Sequence, residues 1–573
     1  MNRSTTLSLV ALVSLVWLLS GAKVSAEVRV PRLFGDNMIL QQNTRNAVWG
    51  FADPDEKVTV TASWGAEVSA VANPQGDWKV LLPTPQHGTG FSLTIRGNNK
   101  LEIKNVAIGE VWLCAGQSNM GWALRMTFGG EEEAANADAP GFRIFRSSRE
   151  HWHKPLKESR DRLAQWKPCN PESAAACSAV SYYFGKKLHD ELGIPVGIIQ
   201  QAYAGTPIEA WMPWEIQKDD PRAQAHRATY QASAERQITR MGKTVDKAMS
   251  GYESESREYN ALIDSGQTMK NSVKQLAPPT IVQPATLGHQ MPGNIFNAMI
   301  HPVRPYGIRG MIWYQGERNA KNVPQAMHYR NQLPQMIDFY RKSWHELSEG
   351  NTDPKFPCYF TQLPSWNPPQ TEPVEGVQAS WAVSREMMRL VANECENTGV
   401  AVAIDTGDAI QLHPKNKRPI GIRHAYLALK QTYGKDIVDY GPRYRSQQVD
   451  GNKLVLTFDS IGGGLVSARD GAIDSFAIAG ADKQWHWADA EIKGNTVVLS
   501  SPKVAQPIAS RYAWAMNPSQ RNLLYNQQGL PASPFRTDDW PLFDPDAEIV
   551  DVLKPAKAET KATEDWKRPA MTQ

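Results

Sequence analysis

The sequence predicts an α/β fold: a three-layer α/β/α domain with a mostly parallel sheet, flanked by β-rich, sandwich-like regions at both ends. Two observations support this class. Apolar runs typical of buried strands alternate with helical stretches from about 108 to 435. Short β-prone runs separated by turn residues fill 27–107 and 436–541. Because 573 residues exceed one ordinary domain of roughly 100–200 residues, we expect two to four domains.

The first 26 residues have the pattern of a secretory signal peptide. Arg3 supplies a positive charge, residues 7–21 are apolar, and Val24, Ser25 and Ala26 are small enough for a cleavage site. The apolar run is shorter than the about 20 residues of a membrane span. We expect a mature protein that begins near Glu27 and is secreted or periplasmic, with an uncleaved anchor as the alternative.

Residues 27–107 read as a small antiparallel β domain. Runs at 58–62, 78–82 and 91–95 are rich in strand-forming residues, and Asp, Pro, Gly and Asn mark the turns between them. Such a module could bind carbohydrate or hold a neighbouring domain in position, and both readings stay open.

The α/β domain is expected over 108–435. Continuous apolar runs indicate strands that are buried on both faces. Val180, Phe184, Leu188 and Leu192 are four residues apart, which is typical of an amphipathic helix. The strands are expected at 111–114, 196–199, 310–314, 358–363 and 399–404, and the helices at 179–192, 324–344, 379–393 and 416–433.

Three further regions complete the organisation. Residues 215–280 are rich in Ala, Gln, Glu, Lys and Arg, which predicts a helical surface insertion that is either a lid, an interface or a passive hairpin. Residues 436–541 form a second β region, with its clearest strands at 454–458 and 496–499. The charged segment 542–573 is expected to be a flexible tail.

Composition excludes several classes of function. A net charge of +3 without a basic block gives no electrostatic footprint for nucleic acid. The five cysteines include no CxxC pair, which argues against a zinc ribbon or a thioredoxin-like site. Cys169 and Cys177 are close enough in sequence to pair, with buried free thiols as the alternative.

The residues that carry chemistry follow four predicted strands. Ser118 lies in 116–120, Gly205 in 201–207, Gln315 to Asn319 follow the strand at 310–314, and His413 follows the strand at 399–404. Because open α/β sheets build their sites at the carboxyl ends of strands, these turns should meet. A Ser–His pair supplies a nucleophile and a general acid–base. The G-x-S-x-G motif of α/β-hydrolases does not occur in the chain.

The motifs GQSNM at 116–120, GTPIEAW at 205–211, YQGERN at 314–319 and LHPKNK at 412–417 occur in this order. Together they resemble the SGNH-type serine esterases, in the branch of sialate O-acetylesterases and related carbohydrate acetylesterases, over about 31–541. The resemblance implies Ser118 as the nucleophile and His413 as the base. It implies an oxyanion hole of Ser118 and Gly205 with the amide of Gln315, or as second choice that of Asn319. No metal or organic cofactor is implied. Substrate binding is expected from Gln117, Asn119, Glu317 and Arg318.

The chain departs from the family at the residue that orients the histidine. Many such enzymes carry Asp three residues before the His, where this chain has Ile410. Asp408 is our candidate for this role, and Asp405 or a backbone carbonyl are the alternatives. A neutral group would stabilise the imidazolium less than a carboxylate does.

The expected function is therefore removal of O-acetyl groups from a sugar or glycan through an acetyl-enzyme. Sialic acid is the first choice of substrate, and acetylated xylan or another polysaccharide is the alternative. A sialate enzyme should place an arginine near Ser118 for the substrate carboxylate, and Arg125 and Arg318 are candidates. A non-catalytic carbohydrate-binding protein is the alternative of another class. Neither nucleic acid nor, after signal cleavage, membrane is an expected partner, and the oligomeric state stays open.

Overall fold

The structure is a computed structural model that describes 27–240 and 288–553, apart from 162, 377, 378, 470 and 472, and also the single positions 247, 250 and 254. The predicted signal peptide, most of the second half of the predicted insertion, and residues 554–573 of the predicted tail lie outside the described residues.

The N-terminal region contains seven strands among the described residues, which we number along the chain. β2 pairs with β5, whereas β3, β4 and β6 form an antiparallel sheet that continues onto β7. Alternate residues such as Val58 and Val60 are buried and join the core of the α/β region. The strands are β1 Ile39–Gln41, β2 Arg45–Phe51, β3 Lys57–Ala62, β4 Glu67–Val71, β5 Asp77–Pro83, β6 Gly88–Arg96 and β7 Lys100–Gly116.

The central sheet has the strand order β13-β12-β11-β7-β10-β8-β9. All neighbours are parallel except β8 and β9. The predicted α/β class with a mostly parallel central sheet is confirmed. Its remaining strands are β8 Ala139–Arg146, β9 Gln165–Cys169, β10 Val196–Ala202, β11 Gly310–Tyr314, β12 Cys358–Thr361 and β13 Thr398–Ala401.

β7 joins the two sheets without a break. Its first half pairs with β6 and β1, and its second half lies between β10 and β11. The boundary predicted at 107/108 falls inside this strand. Residues 106–117 are all buried, so no exposed turn separates the N-terminal region from the central sheet.

Helices cover both faces of the central sheet. Trp112 on β7 contacts Phe184 with ring centroids 5.1 Å apart, whereas Trp313 on β11 faces the other way and contacts Trp211 at 5.4 Å. Ser178 caps the helix that carries Phe184, because its side chain accepts a hydrogen bond from the N–H of Ser181. The described helices are Gly130–Ala135, Pro171–Ala176, Ala179–Leu192, Ile208–Trp211, Trp214–Gln217, Pro221–Arg240, Val323–Leu347, Ser380–Glu394 and Arg418–Leu427.

The C-terminal region is built from separate antiparallel sheets. β14-β15-β20-β19 and β18-β17-β21-β23 have four strands each, and β16 pairs with β22. Leu454, Leu456, Phe476 and Val497 belong to a hydrophobic core distinct from that of the α/β region. The strands are β14 Arg443–Asp450, β15 Lys453–Asp459, β16 Leu465–Ser467, β17 Phe476–Ala479, β18 Trp485–Trp487, β19 Asp489–Lys493, β20 Thr496–Ser500, β21 Ala509–Tyr512, β22 Leu524–Asn526 and β23 Phe535–Arg536.

All five cysteines carry free thiols, so Cys169 and Cys177 are not bonded to each other. Burial raises the pKa of the Cys169 thiol to about 11, and it also raises the pKa of the Cys177 thiol well above its ordinary value. Over the described ranges, none of the helices combines the length and apolar character that crossing a membrane requires.

Candidate active site

The turns that carry the predicted site residues meet at the carboxyl edge of the central sheet. β7 lies between β10 and β11, where the chain changes from one half of the sheet to the other. Gly116 ends β7 at φ +149°, and a Cβ there would lie 2.1 Å from the Tyr314 carbonyl oxygen. The Gln117 N–H donates to that carbonyl at 3.0 Å. Glycine therefore lets the turn of Ser118 approach the neighbouring strand.

Ser118 and His413 are in direct contact. Their Oγ and Nε2 atoms are 2.7 Å apart, although 295 positions separate them in the chain. Burial and the nearby Lys417 lower the pKa of the His413 imidazole below its ordinary value. A neutral imidazole at neutral pH can accept the proton of the serine hydroxyl. The pair thus has the geometry of a nucleophile and its base.

Trp122 holds the other face of the base. Its ring stacks on the His413 imidazole with centroids 5.3 Å apart and an interplanar angle of 16°. The Trp122 carbonyl accepts a hydrogen bond from the N–H of Ala179, the first residue of the helix Ala179–Leu192. No sequence pattern indicates this contact, because the stacking partner lies on a loop almost 300 residues away.

Two backbone N–H groups are available beside the nucleophile. Within the described part of the chain, neither the N–H of Ser118 nor that of Gly205 has a hydrogen-bond acceptor. Gly205 adopts φ +70°, a conformation that other residues rarely adopt. The Gln290 side chain donates to the Gly205 carbonyl at 2.9 Å, which holds the peptide that follows this N–H. Both N–H groups can donate to a developing oxyanion.

The two candidate side-chain amides differ in their hydrogen-bond partners. The two hydrogens of Gln315 Nε2 face three internal acceptors: Asn319 Oδ1 at 2.8 Å, the Thr206 carbonyl at 3.1 Å and Gln117 Oε1 at 3.2 Å. Asn319 Nδ2 donates one hydrogen, to Glu209 Oε2 at 2.9 Å. Among the described residues, the second N–H of Asn319 Nδ2 has no acceptor, whereas both hydrogens of Gln315 Nε2 have internal acceptors.

Three of the four predicted substrate-binding residues are buried. Gln117, Asn119 and Glu317 are at most 3% exposed, and only Arg318 is partly exposed. Asn119 Nδ2 donates to Glu317 Oε1 at 2.5 Å, and Gln117 accepts from Gln315. Burial raises the pKa of the Glu317 carboxyl, and the Asn119 amide opposes this shift. These three residues support the site from beneath.

The two carboxylates considered for the third triad position have other partners. Asp408 Oδ1 accepts the N–H groups of Ile410 at 2.9 Å and Gln411 at 3.0 Å, which shapes the loop before His413. Asp405 forms an ion pair with Arg423 at 2.7 Å. Among the described residues, no hydrogen bond joins Asp408 to His413, and the role of Asp408 as the orienting carboxylate stays a prediction.

The two candidate arginines lie in different surroundings. Arg318 Nη2 donates to Gln290 Oε1 at 3.2 Å, on the side of the site that carries Gly205. Arg125 is exposed and donates to the Ala175 carbonyl at 3.3 Å. Of the two, Arg318 is connected to the site. No group of three His, Cys, Asp or Glu residues in the described ranges is arranged to hold a metal ion.

The chain is similar over most of its length to known carbohydrate esterases. The sialate O-acetylesterase of Mus musculus is 28% identical over 87% of this chain and 92% of its own length. The sialate O-acetylesterase of Homo sapiens is 27% identical over 88% of this chain and 92% of its own length. A carbohydrate acetylesterase from Xanthomonas citri with a known crystal structure is 30% identical to this chain in sequence and superposes with a TM-score of 0.72. The match covers 90% of this chain and 100% of the Xanthomonas chain.

A family model described as a carbohydrate esterase, sialic acid-specific acetylesterase, matches residues 108–257 and 266–416. The match covers more than half of the chain and includes Ser118, Gly205, Asn319 and His413. The chain therefore belongs to the sialic acid-specific acetylesterase family of carbohydrate esterases and is a carboxylic ester hydrolase.

Proposed function

We propose that this protein removes O-acetyl groups from sialic acid with Ser118 as the nucleophile and His413 as the general acid–base. The observation that carries the proposal is the contact of 2.7 Å between Ser118 Oγ and His413 Nε2. The Ser118 and Gly205 N–H groups beside it support an acyl-transfer site over a site that only binds sugar.

In the first half of the reaction, Ser118 Oγ attacks the acetyl carbonyl carbon while His413 Nε2 takes the hydroxyl proton. The N–H groups of Ser118 and Gly205 and the second N–H of Asn319 stabilise the oxyanion. When the tetrahedral intermediate collapses, the bond to the sugar oxygen breaks and His413 returns the proton to that oxygen. The sugar leaves with a free hydroxyl, and the acetyl group stays on Ser118.

In the second half, a water molecule attacks the acetyl-serine while His413 Nε2 accepts one of its protons. The same N–H groups stabilise the second oxyanion. Collapse breaks the bond to Ser118 Oγ, which regains the proton from His413, and acetate leaves. The lowered pKa of His413 favours this chemistry, because the imidazole must be neutral at the start of each half.

Two features support the choice of sialic acid and of an exported protein. The mammalian relatives are sialate O-acetylesterases, and Arg318 offers a guanidinium for the carboxylate that sialic acid carries and xylan lacks. Residues 1–26 have the pattern of a signal peptide, which favours a secreted or periplasmic enzyme.

The mechanism is tested by acetate release from 4-nitrophenyl acetate with wild type, Ser118→Ala and His413→Ala. We expect both variants to lose about three decades or more of kcat/KM, because nucleophile and base act as one unit. The double variant should lose little more than either single variant. Equal activity of Ser118→Ala and wild type would contradict the proposal, and an inactive wild type would favour the sugar-binding alternative.

The substrate is tested by comparing O-acetylated sialic acid with acetylated xylan, for wild type and Arg318→Gln. If Arg318 binds the sialate carboxylate, the variant should raise KM for the sialate at least about 10-fold, since a charged hydrogen bond is worth about 1.5–3 kcal/mol. Its kcat/KM on 4-nitrophenyl acetate, which has no carboxylate, should stay near wild type. A preference of wild type for xylan would overturn the sialate assignment and leave the mechanism intact.

A further inference from the structure

Among the residues that the structure describes, no carboxylate is hydrogen-bonded to the His413 imidazole. Its contacts among the described residues are Ser118 Oγ at Nε2 and the Trp122 ring on one face. Neither contact fixes the position of the backbone that carries His413 relative to the sheet. A base misplaced by about 1 Å can cost about 100-fold in rate, so another group must set this position.

The backbone next to His413 is anchored to the turn of Ser118 through one amide. Asn119 Nδ2 donates to the carbonyl of Leu412 at 3.2 Å and to Glu317 Oε1 at 2.5 Å. Asn119 Oδ1 accepts from Lys417 Nζ at 2.5 Å. Both hydrogens and the oxygen of this amide are thus used, and its orientation is fixed because an ammonium only donates and a carboxylate only accepts.

The two charges that hold this amide are completely enclosed. Lys417 is 0% exposed and Glu317 is 1% exposed, and the Lys417 ammonium lies 5.3 Å from the centre of the Tyr314 ring. Burial lowers the pKa of Lys417 to about 7, and the charge of Glu317 opposes that shift. A buried ion pair of this kind is weak evidence for a stabilising role, because desolvation offsets much of the attraction.

The network links the nucleophile and the base. Asn119 is the residue after Ser118, Leu412 is the residue before His413, and Lys417 lies on the same loop as His413. A shift of any partner of the Asn119 amide therefore changes the distance between Ser118 Oγ and His413 Nε2. Lys417 ends the motif at 412–417, but the sequence predicts no role for it.

We propose that Lys417 and Glu317, acting through Asn119, are positioning residues that set the distance between Ser118 and His413 in place of a triad carboxylate. The proposal rests on the proposed Ser–His mechanism. Its second consequence is electrostatic. Burial lowers the pKa of His413 most, and the ammonium of Lys417 lowers it as well, so the network also disfavours protonation of the base that it holds.

The test is the pH dependence of kcat and KM on 4-nitrophenyl acetate for Lys417→Met, which removes the charge and shortens the side chain by one atom. We expect kcat to fall about 10- to 100-fold with little change in KM. The acid limb of the profile should move to higher pH, because the variant lacks the cation that lowers the pKa of His413. A purely structural role would not move this limb.

Lys415→Met is the matched control, because Lys415 lies two positions away on the same loop and its side chain is exposed. It should keep both the kcat and the acid limb of wild type. Lys417→Arg, which retains a cation, should restore the acid limb more than it restores kcat. A Lys417→Met protein with wild-type kcat and acid limb would overturn the proposal.

Asn119→Asp keeps the test decisive if Lys417→Met does not fold. The new carboxylate can still accept from Lys417. It cannot donate to Glu317 or to the Leu412 carbonyl, so we expect kcat to fall about 10- to 100-fold, as in Lys417→Met. Unchanged kcat in this variant would also overturn the proposal. An active Ser118→Ala variant would contradict the proposed mechanism, whereas the results above would contradict only the positioning role. The two failures are therefore distinguishable.

Discussion

Among single residues, Asn319 is the one whose proposed role in stabilising the oxyanion can be tested most directly. Its Oδ1 accepts from the Ile208 N–H at 2.9 Å and from Gln315, and one hydrogen of Nδ2 goes to Glu209. Gln332 donates to the second oxygen of Glu209 at 2.9 Å, so this carboxylate is itself held in place. The remaining N–H of Asn319 is therefore preorganised, which is what an oxyanion donor needs.

Asn319→Asp tests this assignment. The aspartate keeps the acceptor for Ile208 and Gln315 but loses the donor, so we expect kcat to fall about 100- to 1000-fold with KM little changed. The measurement is steady-state hydrolysis of 4-nitrophenyl acetate, and circular dichroism of the same samples shows whether the variant is folded. A folded variant with at least a third of the wild-type kcat would remove Asn319 from the oxyanion hole.

The sequence predicted those site residues whose role follows from their place at a strand end. Ser118, Gly205 and His413 come after buried strands, and the sheet brings them to one edge. It ranks Gln315 above Asn319 without a physical reason, because both are amides on the same turn and only their partners differ. It also favours Asp408 as the residue that orients His413. Oδ1 of Asp408 accepts from the N–H groups of its own loop, and the assignment stays a prediction.

At the scale of elements, periodicity placed the helices and strands well and their ends less well. The helix predicted at 179–192 is observed as Ala179–Leu192, because Ser178 caps its start and Gly193 at φ +67° ends it. The helix predicted at 416–433 is α-helical only over Arg418–Leu427 and then widens into a π-helix. No local residue pattern predicts the change from α-helix to π-helix.

Strand β7 shows why the relation between two regions was harder to predict than either region. Turn residues at 97–99 mark the start of the strand, and the apolar run at 111–114 marks its end. Nothing between them indicates how the chain continues from one region to the next. Asn105 in the middle of the strand adopts φ +52°, and the register with β6 shifts at this point. The second half pairs with β10 without a register shift.

At the scale of the whole molecule, one arginine connects the catalytic domain with the C-terminal β region. Arg385 in the helix Ser380–Glu394 is 0% exposed. Its guanidinium donates to the carbonyls of Leu363 at 2.8 Å and Pro364 at 2.9 Å, which follow β12. It also donates to the carbonyls of Ala515 at 2.6 Å and Met516 at 2.8 Å, which follow β21. Burial lowers the pKa of Arg385 to about 9, so its charge is retained at neutral pH.

We expect Arg385→Met to lower the free energy of unfolding by at least about 3 kcal/mol, because each buried carbonyl left unpaired costs about 1–3 kcal/mol. Urea unfolding followed by circular dichroism and by tryptophan fluorescence measures this change. The matched control is Arg330→Met, which removes an exposed ion pair with Glu394 and should cost no more than about 1 kcal/mol. Since the C-terminal sheets have their own core, loss of the bridge should also separate their unfolding from that of the catalytic domain. Equal losses in the two variants would mean that packing across the interface, and not Arg385, holds the two regions together.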